Sequence, residues 1–173
     1  MVTAQMLLFA LLGLVLAQRA MELRLAKRNE VWARGRGARE FGAGHYPAFF
    51  VLHGAWLLAW PLEALGRGPE LGPGWALWLT LFAAAEGLRL WAIASLGPRW
   101  NTRILVLPGE PLVVSGPYRW ISHPNYVAVV VELAALPLVF GAWRTAAIVG
   151  ACNLVLLLGV RIPAEVRALR SGA

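Results

Sequence analysis

The sequence predicts an all-α integral membrane protein, one membrane domain over residues 1–173 with about five transmembrane helices. Three observations carry that expectation. Hydrophobic residues make up 59% of the chain and charged ones 14%, against about a quarter charged in an ordinary soluble domain. The apolar residues come in long runs, not in stripes of period 3.6, so the bilayer is the solvent they match. The net charge of +7 sits between those runs, as in the cytoplasmic loops of membrane proteins, and does not signal nucleic acid.

Composition also excludes chemistry. The chain has no aspartate, which removes a Ser-His-Asp triad, the usual calcium loop and a kinase Asp-Phe-Gly. Cys152, the single cysteine, rules out an intrachain disulfide framework or a thiolate metal cluster. It reads as a small buried packing residue in an apolar run. No cluster of His, Cys and acids has metal-ligand spacing. No Gly-x-Gly-x-x-Gly follows a strand, so a soluble dinucleotide-type fold has no support.

The first apolar run is Met6 to Ala17, extendable to Val2. No positive charge precedes it, while Arg19, Arg24, Lys27 and Arg28 follow. That polarity fits a retained helix with its N-terminus outside, not a signal peptide cut after Val15-Leu16-Ala17. Snorkelling of Arg19 helps this short run to span. Leu23, Leu25, Val31 and Trp32 then interleave with Arg24, Lys27, Arg28 and Arg34. The pattern predicts an interfacial helix continuing from the first span, followed by a turn through Gly35, Gly37, Gly42 and Gly44.

The second span is expected over Tyr46 to Leu65, and a Gly/Pro loop over residues 66–74 ends it. The third runs from Trp75 to Leu96, where Gly97-Pro98 stops it. Residues 98–123 form a polar loop punctuated by Pro and Gly. The fourth span runs from Pro124 to Phe140, Gly141-Ala142-Trp143 turns the chain, and the fifth runs from Arg144 to Val160. A basic tail, Arg161 to Ala173, follows. Segment 19–44 holds seven of the sixteen basic residues, and the 98–123 loop and the tail hold most of the others. An odd number of spans puts these three segments on one side. The expectation is a bacterial inner-membrane protein with the N-terminus outside and the C-terminus cytoplasmic.

Few polar side chains fall inside the spans. His53, Arg89, Glu132 and Asn153 each lie about 10–12 Å below the expected cytoplasmic surface, with Glu86 one turn deeper than Arg89. Two readings stand. In the first, Glu86 and Arg89 pair on one helix face and Asn153 bonds across helices. In the second, these residues line a polar chamber, with Arg89 the expected partner of Glu132.

The informative stretch is Gly116-Pro117-Tyr118-Arg119-Trp120-Ile121-Ser122-His123-Pro124-Asn125-Tyr126, where a polar loop enters a span. Pro124 suits a first helical turn, and the free backbone groups there can meet a ligand. Aromatic rings with an arginine suit either an interfacial anchor belt or a site for a planar base and a carboxylate.

The run Gly-Pro-Tyr-Arg-x-x-x-His-Pro-x-Tyr resembles the signature of the isoprenylcysteine carboxyl methyltransferase and phospholipid methyltransferase superfamily. The likeness continues through Leu96-Gly97, Trp100 and Leu112-Val113 to Ser115, and downstream to Arg161-Ile162-x-x-Glu165. It covers about residues 95–170, so 98–173 reads as the methyl-donor half. Arg19, Glu22, Leu23, Arg28-Asn29, Glu40, Gly44-His45-Tyr46-Pro47 and His53 are similar to a bacterial branch often associated with type III polyketide synthases and alkylpyrone-type lipids. Two departures stand out. Many relatives carry a second acid where this chain has Val166, and Pro163 falls between Arg161 and Glu165.

The resemblance implies a membrane O-methyltransferase that binds S-adenosylmethionine on the cytoplasmic side under the tail. By position, His123, Pro124 and Tyr126 would form the adenine and ribose pocket, flanked by Tyr118 and Arg119. Arg161 and Glu165 would hold the methionine portion or the acceptor. The acceptor would be a lipophilic small molecule from the bilayer, with His45, His53, Arg89 and Asn153 as binding candidates. A carboxylate or acidic enol needs little base, whereas a less acidic hydroxyl needs one, for which Glu132, His53 and His45 are the candidates. A small transporter and a non-catalytic scaffold are the rival readings.

Overall fold

The computed structural model describes residues 2–172. It is a helical bundle, and four of its helices are long and apolar enough to cross a membrane: Thr3–Arg34, Ala43–Gly66, Trp75–Arg99 and Trp143–Arg170.

Helix α1 (Val2–Arg34) is one unbroken rod of 33 residues, about 50 Å long. The short first run and the amphipathic segment after it are therefore one element. The reason lies in spacing. Buried Ala4, Leu8, Leu11, Val15, Glu22, Ala26, Asn29 and Ala33, with the partly buried Arg19 between Val15 and Glu22, recur every three or four residues along one stripe. The upper part of that stripe is apolar and the lower part polar, so a hydropathy boundary is not a helix boundary.

Helices α2 (Tyr46–Gly66) and α3 (Trp75–Leu96) coincide with the apolar runs that predicted them. Helix α4 (Pro124–Val139) has only 16 residues, about 24 Å, less than the roughly 30 Å hydrocarbon core. It is the central helix, packed between α3 and α5 (Trp143–Leu156). Its Val129, Leu133, Leu136 and Val139 are buried with Trp56 and Trp60 of α2 and Leu8 and Val15 of α1. The Trp56 indole N–H donates to the Leu133 carbonyl at 3.1 Å, and the Trp60 ring stacks on Phe140 at 5.6 Å. Beside the α4–α5 turn, Gly72 donates to the Val139 carbonyl at 2.9 Å. A Cβ on Gly72 would lie 2.6 Å from the Gly141 nitrogen and 2.7 Å from the Leu138 oxygen, so only glycine fits.

Three features depart from the all-helical expectation. Strands β1 (Arg39–Phe41) and β2 (Ile104–Val106) form an antiparallel ribbon, with Arg39 opposite Val106 and Phe41 opposite Ile104. Each has three residues, too few for period-2 alternation to register in a sequence. The basic tail is helix α6 (Ile162–Gly172), docked on the ribbon through Ala164, Ala168 and Leu169 against Phe41, Ile104 and Val106. Between α5 and α6 the chain makes a π-helical turn over Leu157–Arg161. Pro163 has no N–H to return to the carbonyl of Gly159, and its ring crowds that carbonyl, which favours the wider turn.

Candidate functional site

The site forms where the loop before α4 meets the start of α6. Gly116 has φ +59°, and a Cβ there would sit 2.0 Å from the Ser95 hydroxyl of α3. Glycine thus lets the loop close on the bundle, and Pro117 is buried behind it. The His123 carbonyl accepts the N–H groups of Tyr126 at 3.0 Å and Val127 at 3.2 Å, which starts α4. The His123 and Tyr126 rings then stack, with centroids 5.2 Å apart and planes 15° apart.

The Tyr126 hydroxyl is the point of convergence. It donates to the Glu165 carboxylate and accepts from Arg161 Nε at 3.1 Å. Arg161 Nη2 donates to the Thr102 carbonyl at 2.8 Å. His123 Nδ1 lies 3.9 Å from Glu165 Oε2. Arg161 is buried, and its guanidinium lies 5.9 Å from the Phe49 ring centroid. His123, Tyr126, Arg161 and Glu165, separated by up to 42 positions in the chain, thus meet in one cluster. Pro124 is buried at the first position of α4. Tyr118 is half-buried. Burial and the Glu165 carboxylate push its phenol up to about 12, which keeps it a neutral donor. Arg119 stands apart from the cluster. It is exposed, with its guanidinium 5.4 Å from the Trp120 ring centroid.

Nearby, His45 lines a cavity of about 430 Å³ with Phe41, Gly42, Val160, Ala164 and Arg167. Its Nε2 is buried without a hydrogen-bond partner among the described residues. Asn125 Oδ1, beside Tyr126 in sequence, is also buried and unpartnered.

The polar layer deeper in the bundle resolves into an ionic network across α1, α3 and α4. Arg89 donates to one oxygen of Glu132 and Arg19 to the other. Arg19 also pairs with Glu22. Gln18 donates to Glu86, and to Glu22 at 3.1 Å. Arg89 and Glu132 are 3% and 1% exposed. Their side-chain hydrogen bonds are to one another and to Arg19 of α1, and no hydrogen bond among the described residues joins them to the Tyr126 cluster. The sequence expectation that Arg19 snorkels to the surface is corrected, because its guanidinium turns inward to Glu132. The spacing of Val15, Arg19 and Glu22 on the buried stripe is the signal that pointed there. His53 Nδ1 lies 2.8 Å from the Phe49 carbonyl of its own helix. Cys152, expected to be buried, is exposed, because the buried stripe of α5 runs through Ala146, Val149 and Asn153. Asn153 is fully buried, and neither its amide oxygen nor its nitrogen has a hydrogen-bond partner among the described residues. It does not make the inter-helix bond expected of it. Thr102 of the Arg161 surroundings carried no such signal, since it acts through its main-chain carbonyl.

The cluster offers a stacked pair of aromatic faces, a buried guanidinium and a carboxylate within one small region. A planar base, an anionic group and a cationic group can each find a complement there.

The family model for isoprenylcysteine carboxyl methyltransferase matches residues 78–171. The uncharacterized protein YpbQ of Bacillus subtilis is 39% identical over 160 residues, 92% of this chain and 95% of its own length. An uncharacterized protein of Haemophilus influenzae is 28% identical over 156 residues, 90% of both chains. No solved structure matches. This chain belongs to the isoprenylcysteine carboxyl methyltransferase (ICMT) family.

Proposed function

We propose that this protein is an S-adenosylmethionine-dependent methyltransferase of the membrane, acting on the oxygen of a lipophilic acceptor. The observation that carries the reading is the convergence of Arg161, Glu165 and the stacked His123 ring on the Tyr126 hydroxyl. The residues present fit the donor. The stacked rings suit an adenine face, and the unpartnered Asn125 oxygen suits an amine donor. Arg161 suits the methionine carboxylate, and Glu165 suits the ammonium or sulfonium charge.

S-adenosylmethionine, when bound, supplies an electrophilic methyl group on a sulfonium. The chain's own residues supply position and charge. The contacts from Thr102 and Tyr126 hold Arg161 in one orientation, and alignment of reacting atoms is where most acceleration in such transfers arises. The Tyr118 hydroxyl stays protonated and can donate a hydrogen bond near Glu165. The acceptor enters from the bilayer, with its head group near His45. A carboxylate or acidic enol arrives already anionic. A phenolic hydroxyl would lose its proton to His45, the unpartnered base nearest the cluster. His53 and Asn153 lie further down α2 and α5, where the acceptor's body would pass. Glu132 and Arg89 act on the bundle, not on the acceptor. In the membrane the arrangement corresponds to five spans, with the N-terminus outside and the lower part of α1 at the cytoplasmic interface.

Calorimetric titration of S-adenosylmethionine into the purified protein tests the reading. The parent should bind, and a folded His123→Ala variant should bind much more weakly. Equal affinity of the two would remove His123 from the site.

A further inference from the structure

The sequence motif Gly44-His45-Tyr46-Pro47 places Tyr46 at the first position of α2, close to the donor cluster but outside it. We propose that Tyr46 and Thr102 are positioning residues for Arg161. The proposal rests on the reading of Arg161 as the group that grips the donor's carboxylate.

The argument follows the contacts outward from Arg161. Its Nη2 donates to the Thr102 carbonyl at 2.8 Å, so the direction of that carbonyl sets the guanidinium plane. Thr102 lies between the turn at Gly97–Arg99 and strand β2, and strand pairing begins only at Ile104. The ribbon therefore does not fix its backbone. A side-chain contact does: Thr102 Oγ1 lies 3.2 Å from the Tyr46 hydroxyl.

Tyr46 is in turn clamped. The Arg103 guanidinium lies 4.3 Å from its ring centroid, a cation–π distance. Arg103 donates to Glu40 of β1 at 2.5 Å, and Glu40 also receives Arg34 at the end of α1. On the other side of Thr102, Asn101 donates to the Ala26 carbonyl of α1 at 2.9 Å and accepts the Arg103 N–H at 3.0 Å. The loop carrying Thr102 is thus tied to α1, β1 and α2 at once. The contacts to Thr102 and Tyr126 use the Nε–H and one Nη2–H of Arg161. A bidentate grip on a carboxylate draws on the other donors, and its direction is set by the two already placed.

Titration of S-adenosylmethionine into the full-length protein in detergent tests this. Tyr46→Phe and Thr102→Val should each weaken binding about tenfold, and Thr102→Ser, which restores the hydroxyl, should recover it. In an Arg161→Lys background, Tyr46→Phe should cause no further loss, because residues acting through one group are not additive. Full affinity in Tyr46→Phe overturns the proposal, as does an equal loss in both backgrounds. A parent protein that fails to bind the donor removes the donor-site reading, and this proposal with it. A parent that binds, with Tyr46→Phe unchanged, removes this proposal alone.

Discussion

Replacing Glu132 by glutamine separates a carboxylate that holds the bundle from one that works on the acceptor. In the native protein both Glu132 oxygens are engaged, one by Arg89 and one by Arg19. Glutamine keeps the shape and one acceptor, but it loses the charge and points an NH2 group at a guanidinium. Arg19 retains Glu22. Arg89 is left with Glu22 and Glu86 at 3.9 Å, beyond hydrogen-bond reach. Removing one partner of a buried pair costs about 3–5 kcal/mol. The network sets three carboxylates, Glu22, Glu86 and Glu132, against two guanidinium groups. Losing one negative charge relieves some repulsion, so the lower figure, about 3 kcal/mol, is expected. In a chain of 173 residues this lowers the melting midpoint by about 6–12 °C. Glu86→Gln is the control. Its carboxylate comes no nearer than 3.7 Å to either arginine, and its loss should cost under about 1 kcal/mol. Tryptophan emission in detergent reports the midpoint, and calorimetry on the same preparation reports donor affinity, which should fall less than in His123→Ala because Glu132 touches the Tyr126 cluster only through the position of α4. A Glu132→Gln protein that melts like the parent but has lost its turnover would refute this reasoning and put Glu132 in the chemistry.

Three further outcomes are expected. Reporter fusions after Arg67 and at the C-terminus should report opposite sides of the membrane, and a shared side would exclude five spans. Gly72→Ala should lower the melting midpoint by an amount corresponding to about 1–3 kcal/mol, because its Cβ meets the main chain at Gly141 and Leu138; an unshifted midpoint would show that the turn yields. The Glu40 carboxyl is pushed up by burial but held below its usual range overall by hydrogen bonds from Arg103 and Arg34. Its stabilisation is therefore complete above the unfolded value of about 4.3 and is lost as pH falls through the lower folded value. Glu40→Gln should melt below the parent at neutral pH and converge with it in acid, and a gap that persists in acid would contradict the sign.

Residues differ in how far their neighbours could be foreseen. Helices α2, α3 and α4 were legible because Pro and Gly bracket their apolar runs, at Pro47, Gly74 and Pro124. Helix α1 was legible as a span with a helix continuing from it, but not as one rod with a single buried stripe, because that stripe changes from Val15 to Glu22 without leaving the helix face, and hydropathy follows polarity, not packing. The candidate site was legible at His123, Tyr126, Arg161 and Glu165, whose side chains the fold brings together. It was not legible at Thr102, where a main-chain carbonyl does the work and any residue type supplies one. Asn153 shows the opposite failure, for a buried amide at the expected depth has no partner on the neighbouring helices.

The depth of the ionic network also explains its relation to the site. Glu132 lies six residues beyond Tyr126 on α4, about 9 Å along the axis. Two arginines from different helices grip it from α1 and α3. An apolar contact between helices tolerates small rotations and slides, whereas a carboxylate shared by two guanidinium groups has directional bonds to both. Such a tie fixes the rotation and height of α4. Tyr126 rides on the same rigid helix, so its hydroxyl arrives at a set height for Arg161 and Glu165. The charged layer thus helps to set the geometry of the candidate site from a distance, while its own hydrogen bonds and ion pairs offset part of the desolvation of its five ionisable groups.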